Sequence, residues 1–219
     1  MDIAIIDCGA GNLHSVRKAF ASQLPEGTTL RIVTDAAALA TASHIVLPGV
    51  GAFADCMDGL MRLPDMRTAL EDAVLARGTP FLGICVGMQM LFQQGHEFGS
   101  HAGLGWFQGE VRKLNPTDPT LKIPHMGWNR LQRRRNDSLG GKTSALSLLD
   151  TIPDGSFVYF VHSYAATGCN PVEVLATVDY GGEVVALIGR KNIVATQFHP
   201  EKSQTVGLRM IQNFLEMRA

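Results

Sequence analysis

The sequence predicts an α/β fold: a central, mostly parallel sheet flanked by helices, with an additional antiparallel strand region in the second half. Three observations carry this. Short apolar runs rich in β-branched residues alternate with helical segments through the first half, the order that builds a parallel sheet covered on both faces. The second half instead lines up strand-sized segments, and the pairs Gly181-Gly182 and Lys191-Asn192 read as hairpin turns between them. The segment Ser203 to Met217 is amphipathic at helical spacing and closes the chain.

Taken in order, Ile3 to Asp7 is a first strand, Gly9-Ala10-Gly11-Asn12 a turn and Ser15 to Gln23 a helix. Leu30 to Val33 and His44 to Leu47 read as further buried strands. Phe53 to Met61 and Pro64 to Arg77 are helical; Pro64 stands near the start of the second and Gly78 just past its end. The strand Phe81 to Ile84 and the helix Gly87 to Gln94 follow. Later strands are expected over Trp106 to Leu114, Trp128 to Leu131, Phe157 to Tyr164, Val172 to Tyr180, Val184 to Arg190 and Ile193 to Phe198. Arg130 to Ser144, basic and then rich in glycine and serine, reads as a mobile surface loop, and its Arg133-Arg134-Arg135 as a solvated charge run. Neither an internal repeat nor a dividing linker is visible, so residues 1–219 are expected to form one domain.

Composition narrows the function. The chain has 219 residues, 46% hydrophobic and 18% charged, enough to bury a substantial core. A net charge of −1 gives no reason to expect nucleic acid or an anionic membrane as partner. Apolar runs such as Ile3 to Ile6 and Ile45 to Leu47 are strand-sized and too short to span a bilayer, and no signal peptide is visible. Cys8, Cys56, Cys85 and Cys169 are scattered without metal-ligand spacing and are too sparse for a disulfide scaffold, which suits a reducing cytoplasm. His14, His44, His96 and His101 form no metal-ligand set, so no metal or organic cofactor is implied. Gly9-Ala10-Gly11-Asn12 lacks the full dinucleotide fingerprint and the lysine of a phosphate-binding loop.

Two stretches carry chemistry. Pro80-Phe81-Leu82-Gly83-Ile84-Cys85-Val86-Gly87-Met88-Gln89 is an apolar run ending in a glycine-flanked cysteine that then becomes helical. This is the layout of a nucleophile elbow with cysteine in place of serine. A helix N-terminus there would favour the thiolate. The alternative is a packing cysteine between glycines. Downstream, Phe198-His199-Pro200-Glu201 offers an imidazole and a carboxylate two positions apart. Glu201 would orient His199, whose other ring nitrogen would address Cys85. The oxyanion of a tetrahedral intermediate needs backbone donors. One is expected from Val86, just after the nucleophile, and another from the Pro48-Gly49-Val50-Gly51 loop, through Val50 or Gly51. An ordinary glycine turn is the alternative reading of that loop.

Gly83-Ile84-Cys85-Val86-Gly87-Met88-Gln89, the Pro48 to Gly51 loop and His199-Pro200-Glu201 together resemble the class I, triad-type glutamine amidotransferases, in register over nearly the whole chain. Ile123-Pro124-His125-Met126-Gly127-Trp128-Asn129, Val161-His162-Ser163-Tyr164 and Phe198 to Ser203 resemble the branch that serves histidine biosynthesis. Val86 stands where leucine is common, which leaves the backbone donor unchanged. The resemblance implies a flavodoxin-like amidotransferase fold and hydrolysis of L-glutamine by Cys85, His199 and Glu201. It also implies that Gln89 and the backbone around Gly51, His162 and Ser163 hold the substrate's amino-acid end. The ammonia would pass to a separate cyclase subunit, a (β/α)8 barrel, in a heterodimer, with Asn12, Trp128 and Lys202 facing that partner. Amidotransferases serving other acceptors, a cysteine peptidase on a similar scaffold and a non-catalytic scaffold protein are the rivals. The stretch Pro124 to Asn129 argues against the first of these.

Overall fold

The computed structural model describes residues 1–9, 11–134 and 144–218. Along the chain run β1 (Asp2–Ile6), α1 (Leu13–Ala21), β2 (Thr29–Val33), β3 (His44–Gly49), α2 (Phe53–Arg62), α3 (Met66–Glu71), β4 (Phe81–Cys85) and α4 (Val86–Gln89). Then come β5 (Phe92–Gly95), β6 (His101–Ala102), β7 (Phe107–Lys113), β8 (His125–Arg130), β9 (Gln132–Arg133), α5 (Ser144–Ser147), β10 (Phe157–His162) and β11 (Tyr164–Thr167). The chain ends with β12 (Val174–Asp179), β13 (Glu183–Arg190), β14 (Ile193–Thr196) and α6 (Gln204–Glu216).

A strand buried on both faces belongs in the middle of a sheet with layers on either side. β3, β4 and β14 are buried at every position. They lie side by side in an eight-stranded sheet of order β2-β1-β3-β4-β14-β13-β12-β9. The pairs from β2 to β14 are parallel and those from β14 to β9 antiparallel. The expected α/β architecture is therefore present as a mixed sheet, with the parallel strands on one side and the hairpins on the other. Helix α6 covers it through Phe214, whose ring meets Phe20 edge-on at 6.2 Å and His44 at 5.2 Å. Two smaller sheets, β11-β7-β5-β6 and β10-β8, complete the second half.

Register decides where the site falls. Gly49 pairs with Cys85, and Thr196 with Ile84, so three neighbouring parallel strands end together. Ligands of open α/β sheets sit beyond such carboxyl ends. The loop after β3, the elbow after β4 and His199 after β14 therefore meet.

Several local expectations change. The helix expected over Gly87 to Gln94 stops at Gln89, and Phe92 to Gly95 form β5. The residues after Gln89, Met90 to Phe92, are all apolar, and so short a run has no periodicity that separates helix from strand. Parallel pairing of β5 with β7, which sets the Phe92 and Phe107 rings 6.2 Å apart, settles it as strand. The helix expected to end at Arg77 is α-helical only to Glu71 and continues as a π turn over Asp72–Ala76. The single strand expected over Phe157 to Tyr164 breaks at Ser163 and divides between two sheets. Of the supposed loop from Arg130, the first residues are ordered structure. Arg133 N–H donates to Asp154 Oδ1 at 2.8 Å, and Arg134 pairs with Glu183. Residues 135–143 lie outside the described residues.

Candidate active site

Cys85 closes β4 with φ 55° and ψ −110°, a backbone state that a β-carbon disfavours. The turn is tight because two backbones nearly touch. A Cβ on Gly87 would lie 1.9 Å from the carbonyl oxygen of Leu47, so only glycine fits there. The helix that follows has only four residues, Val86–Gln89. Its dipole is therefore a lesser influence on the thiol than the sequence suggested.

His199 is 2% exposed and is fixed from its backbone outward. Its N–H donates to Tyr159 O at 3.0 Å, and its carbonyl accepts from Ser203 Oγ at 2.7 Å. Ser203 Oγ also accepts from Tyr159 N–H at 3.0 Å, tying the turn to β10. His199 Nδ1 meets Glu201 Oε1 at 2.7 Å, and both side chains are almost fully buried. The carboxylate accepts the Nδ1 proton, which leaves Nε2 for the reacting groups. Nε2 is buried with no hydrogen-bond partner among the described residues. Burial alone would push this imidazole down; its interactions with Cys85 and then Glu201 outweigh that and raise it to about 10. Cys85 and His199 thus act on one another electrostatically without a well-formed hydrogen bond, a contact that tightens in many enzymes when substrate binds.

Cys85 and His199 line a cavity of about 480 Å³. Of the oxyanion candidates, Val50, Gly51 and Val86 all face it. Gly51 has φ +91°, the left-handed region that glycine tolerates. Gln89, His162 and Ser163 line the same cavity, as do Asn12 and Lys202. Asn12 also accepts from Ser15 N–H at 3.3 Å, capping α1. Lys202 Nζ sits 5.8 Å from the Tyr159 ring. Trp128 stands outside the cavity wall, half exposed and edge-on to Tyr159 at 5.9 Å. The structure thus brings Cys85, His199, Val50, Gly51, Val86, Gln89, His162 and Ser163 to one cavity with Glu201 against His199, and sets Trp128 apart on the outer face.

Hydrogen bonding refines two of these residues. Gln89 Nε2 donates to Tyr164 O at 2.9 Å and to Gln197 Oε1 at 3.0 Å, so its hydrogens are used and its carbonyl oxygen is what remains for a ligand. His162 Nδ1 bonds Tyr164 O at 2.9 Å and its Nε2 bonds His125 Nδ1 at 3.1 Å. Both ring nitrogens are engaged, so His162 has only its backbone to offer. Sequence reasoning missed Glu97 and Gln197. Glu97 lines the cavity and accepts from Phe53 N–H at 2.9 Å; it lies between two short strands that carried no sequence signal. Gln197 lies at a strand end, where a polar residue reads as exposed. Among the described residues, no group of histidine, cysteine, aspartate and glutamate side chains is arranged to hold a metal ion, and no helix is long and apolar enough to cross a membrane.

The model of the family described as Glutamine amidotransferase class-I matches residues 4–217. A relative from Rhodospirillum rubrum, named imidazole glycerol phosphate synthase subunit HisH, is 49% identical over 98% of this chain and 98% of its own. One of the same name from Mesorhizobium japonicum is 48% identical over 100% of both chains. Among solved structures, a glutamine amidotransferase matches with TM-score 0.71 at 16% identity, covering 98% of this chain and 97% of that one. The structure of PurLQS from Thermotoga maritima matches with TM-score 0.70 at 17% identity over 98% and 97%. At these identities the structural likeness speaks for the fold.

Proposed function

The chain belongs to the class-I glutamine amidotransferase family, and from that premise we propose that it is the glutaminase subunit of imidazole glycerol phosphate synthase, a single amidotransferase domain over residues 1–219 working in the cytoplasm. It hydrolyses L-glutamine to glutamate and ammonia. The observation that carries this reading is the meeting of Cys85, His199 and the Gly51 loop in one cavity, with Glu201 buried behind the imidazole.

The chemistry follows from the arrangement. The Cys85 thiol gives its proton to His199 Nε2, the sulfur attacks the side-chain amide carbon of glutamine, and the carbonyl oxygen takes the negative charge. Backbone N–H groups of Val86 and of the Val50-Gly51 loop receive that charge. The C–N bond then breaks as His199 Nε2 gives its proton to the leaving nitrogen, releasing ammonia and a glutamyl thioester. Water attacks the thioester, His199 takes one of its protons, and glutamate leaves as the thiolate returns. Glu201 stabilises the imidazolium that recurs in both halves. The Gln89 carbonyl and the Glu97 carboxylate in the cavity wall suit the substrate's ammonium, because a charge buried unpaired is costly.

The ammonia goes to a separate cyclase subunit with a (β/α)8 barrel, which joins it to a ribulose-phosphate intermediate. The products are imidazole glycerol phosphate and aminoimidazole carboxamide ribotide. One surface supports a partner. On β8 and β10 the outward residues include Met126, 63% exposed, Trp128, 45%, and Phe157, 46%, an apolar stripe next to the cavity wall at Val161, bordered by Arg130, whose guanidinium lies 5.0 Å from the Phe157 ring. With Asn12 and Lys202 beside the cavity, this is the face we assign to the cyclase. The test is to mix the chain with the cyclase and its phosphorylated ligand. Glutamine hydrolysis should rise, and Cys85→Ala should abolish glutamine-dependent synthesis while leaving synthesis from added ammonia intact. Loss of both activities in Cys85→Ala, with the complex still formed, overturns the assignment.

A further inference from the structure

We propose that Gln197 is a positioning residue for the nucleophile: its side-chain amide donates a hydrogen bond to the sulfur of Cys85 and holds the thiolate ready for attack. The proposal rests on Cys85 being the nucleophile of the reading above.

Gln197 follows β14, two positions before His199, and is 0% exposed. Its backbone N–H donates to Ala186 O at 2.9 Å, which fixes where the side chain starts. Its Nε2 lies 3.7 Å from Cys85 Sγ, within hydrogen-bond range for sulfur, and its Oε1 lies 3.0 Å from Gln89 Nε2. The two ends of an amide are alike in shape, so partners must decide which way it points. Here a backbone carbonyl decides. Tyr164 O can only accept, so the end of Gln89 that lies 2.9 Å from it must be the NH2. The same nitrogen faces Gln197, whose near end must then be oxygen. The NH2 of Gln197 is therefore the end that faces the sulfur. Turning either amide over would set donor against donor or acceptor against acceptor among nearly buried side chains. A carbonyl fixed by the fold thus imposes a donor on the nucleophile through two glutamines. A donor of this kind favours a charged acceptor over a neutral one. His199 supplies the proton chemistry, and Gln197 supplies a fixed partner that never moves a proton.

The experiment follows Cys85 alkylation by iodoacetamide against pH, read by the mass of the Cys85 peptide, in the parent chain, Gln197→Met and Gln197→Glu. Methionine keeps the length and removes the donor. Glutamate keeps an acceptor for Gln89 and places a carboxylate oxygen against the sulfur. Both variants should move the alkylation profile to higher pH, glutamate further, with the rate at neutral pH falling about tenfold. In the complex with the cyclase, kcat for glutamine should fall about as much while KM stays within about twofold. Near-UV circular dichroism checks the packing. A profile that stays put in a folded variant overturns the proposal. The parent chain gives a second reading that needs no variant. Side-chain amide protons of Gln197 should shift as Cys85 ionises, at the midpoint of the alkylation profile, and those of exposed Gln23 should not. Gln197 resonances that ignore this ionisation overturn the proposal as well. If Cys85→Ala still hydrolysed glutamine, the functional reading would fall instead, while the amide titration would still report on the bond.

Discussion

His162 shows how much a residue's neighbours determine about it. Its Nδ1 must donate to Tyr164 O, so its Nε2 must accept from His125 Nδ1. His125 Nε2 then faces the Asn129 side-chain amide at 3.4 Å, whose nitrogen also donates to Asp179 O at 2.8 Å. Both imidazoles are therefore neutral, each in one tautomer. Burial agrees with this, pushing His162 down to about 3 and His125 to about 4. The stability consequence has a definite sign. Unfolded histidine titrates near 6.5, so between about 6.5 and 4 the unfolded chain binds more protons than the folded one. Their contribution is fully present above about 6.5 and is lost as pH falls through that window. The urea midpoint should accordingly drop from pH 7 to pH 5. His162→Gln removes one of the groups and should flatten that slope while costing about 1–3 kcal/mol at pH 7 for the bonds it loses. An equally steep slope in the variant would put the titration elsewhere.

Two glycines separate space from backbone conformation at the level of the turn. Gly87 has no room for a Cβ, which would sit 1.9 Å from Leu47 O, whereas Gly51 has open space but φ +91°. Gly87→Ala must push α4 away from β3 and should lower the thermal midpoint severely or prevent folding. Gly51→Ala should cost only about 1–2 kcal/mol through its backbone, but, on the proposal that this loop supplies oxyanion donors, kcat for glutamine should fall sharply. Thermal unfolding and steady-state kinetics on the pair check this; an active, unshifted Gly87→Ala would contradict it. The same turn shows what was legible in the chain. Gly83-Ile84-Cys85-Val86-Gly87 declared an elbow because few folds need glycines at that spacing around a cysteine. The end of α4 and the start of β5 were not legible, since Met90 to Phe92 bury apolar side chains under either assignment and only pairing with β7 selects the strand. Gln197 was hidden for a related reason. Its value depends on Gln89 and Tyr164, which are distant in sequence, so no local pattern marks it.

For the whole molecule, function depends on topology bringing distant segments to one sheet end and leaving one face unfilled. β3, β4 and β14 come from the start, middle and end of the chain, yet Gly49 pairs with Cys85, and Thr196 with Ile84. Folding that sheet brings Cys85, His199 and the Gly51 loop together within this one chain. The stripe on β8 and β10 behaves differently. Their inward residues His125, Val158 and Phe160 are buried, while Met126, Trp128 and Phe157 point outward, Phe157 beneath the Arg130 guanidinium at 5.0 Å. An exposed residue contributes little to folding, so a charge there should leave the monomer intact and act only on assembly. Met126→Glu should shift the thermal midpoint by less than about 2 °C, within the range of surface substitutions. It should weaken binding to the cyclase by about tenfold or more, since an unpaired charge buried in an apolar contact is costly. Glutamine-dependent synthesis should then fall, while synthesis from added ammonia, which needs only the cyclase, should stay unchanged. Titration calorimetry together with the two synthesis assays reads all three quantities. Unchanged affinity in this variant would move the docking face away from β8, and the cavity mouth beside Val161 would then need another partner surface to keep ammonia from water.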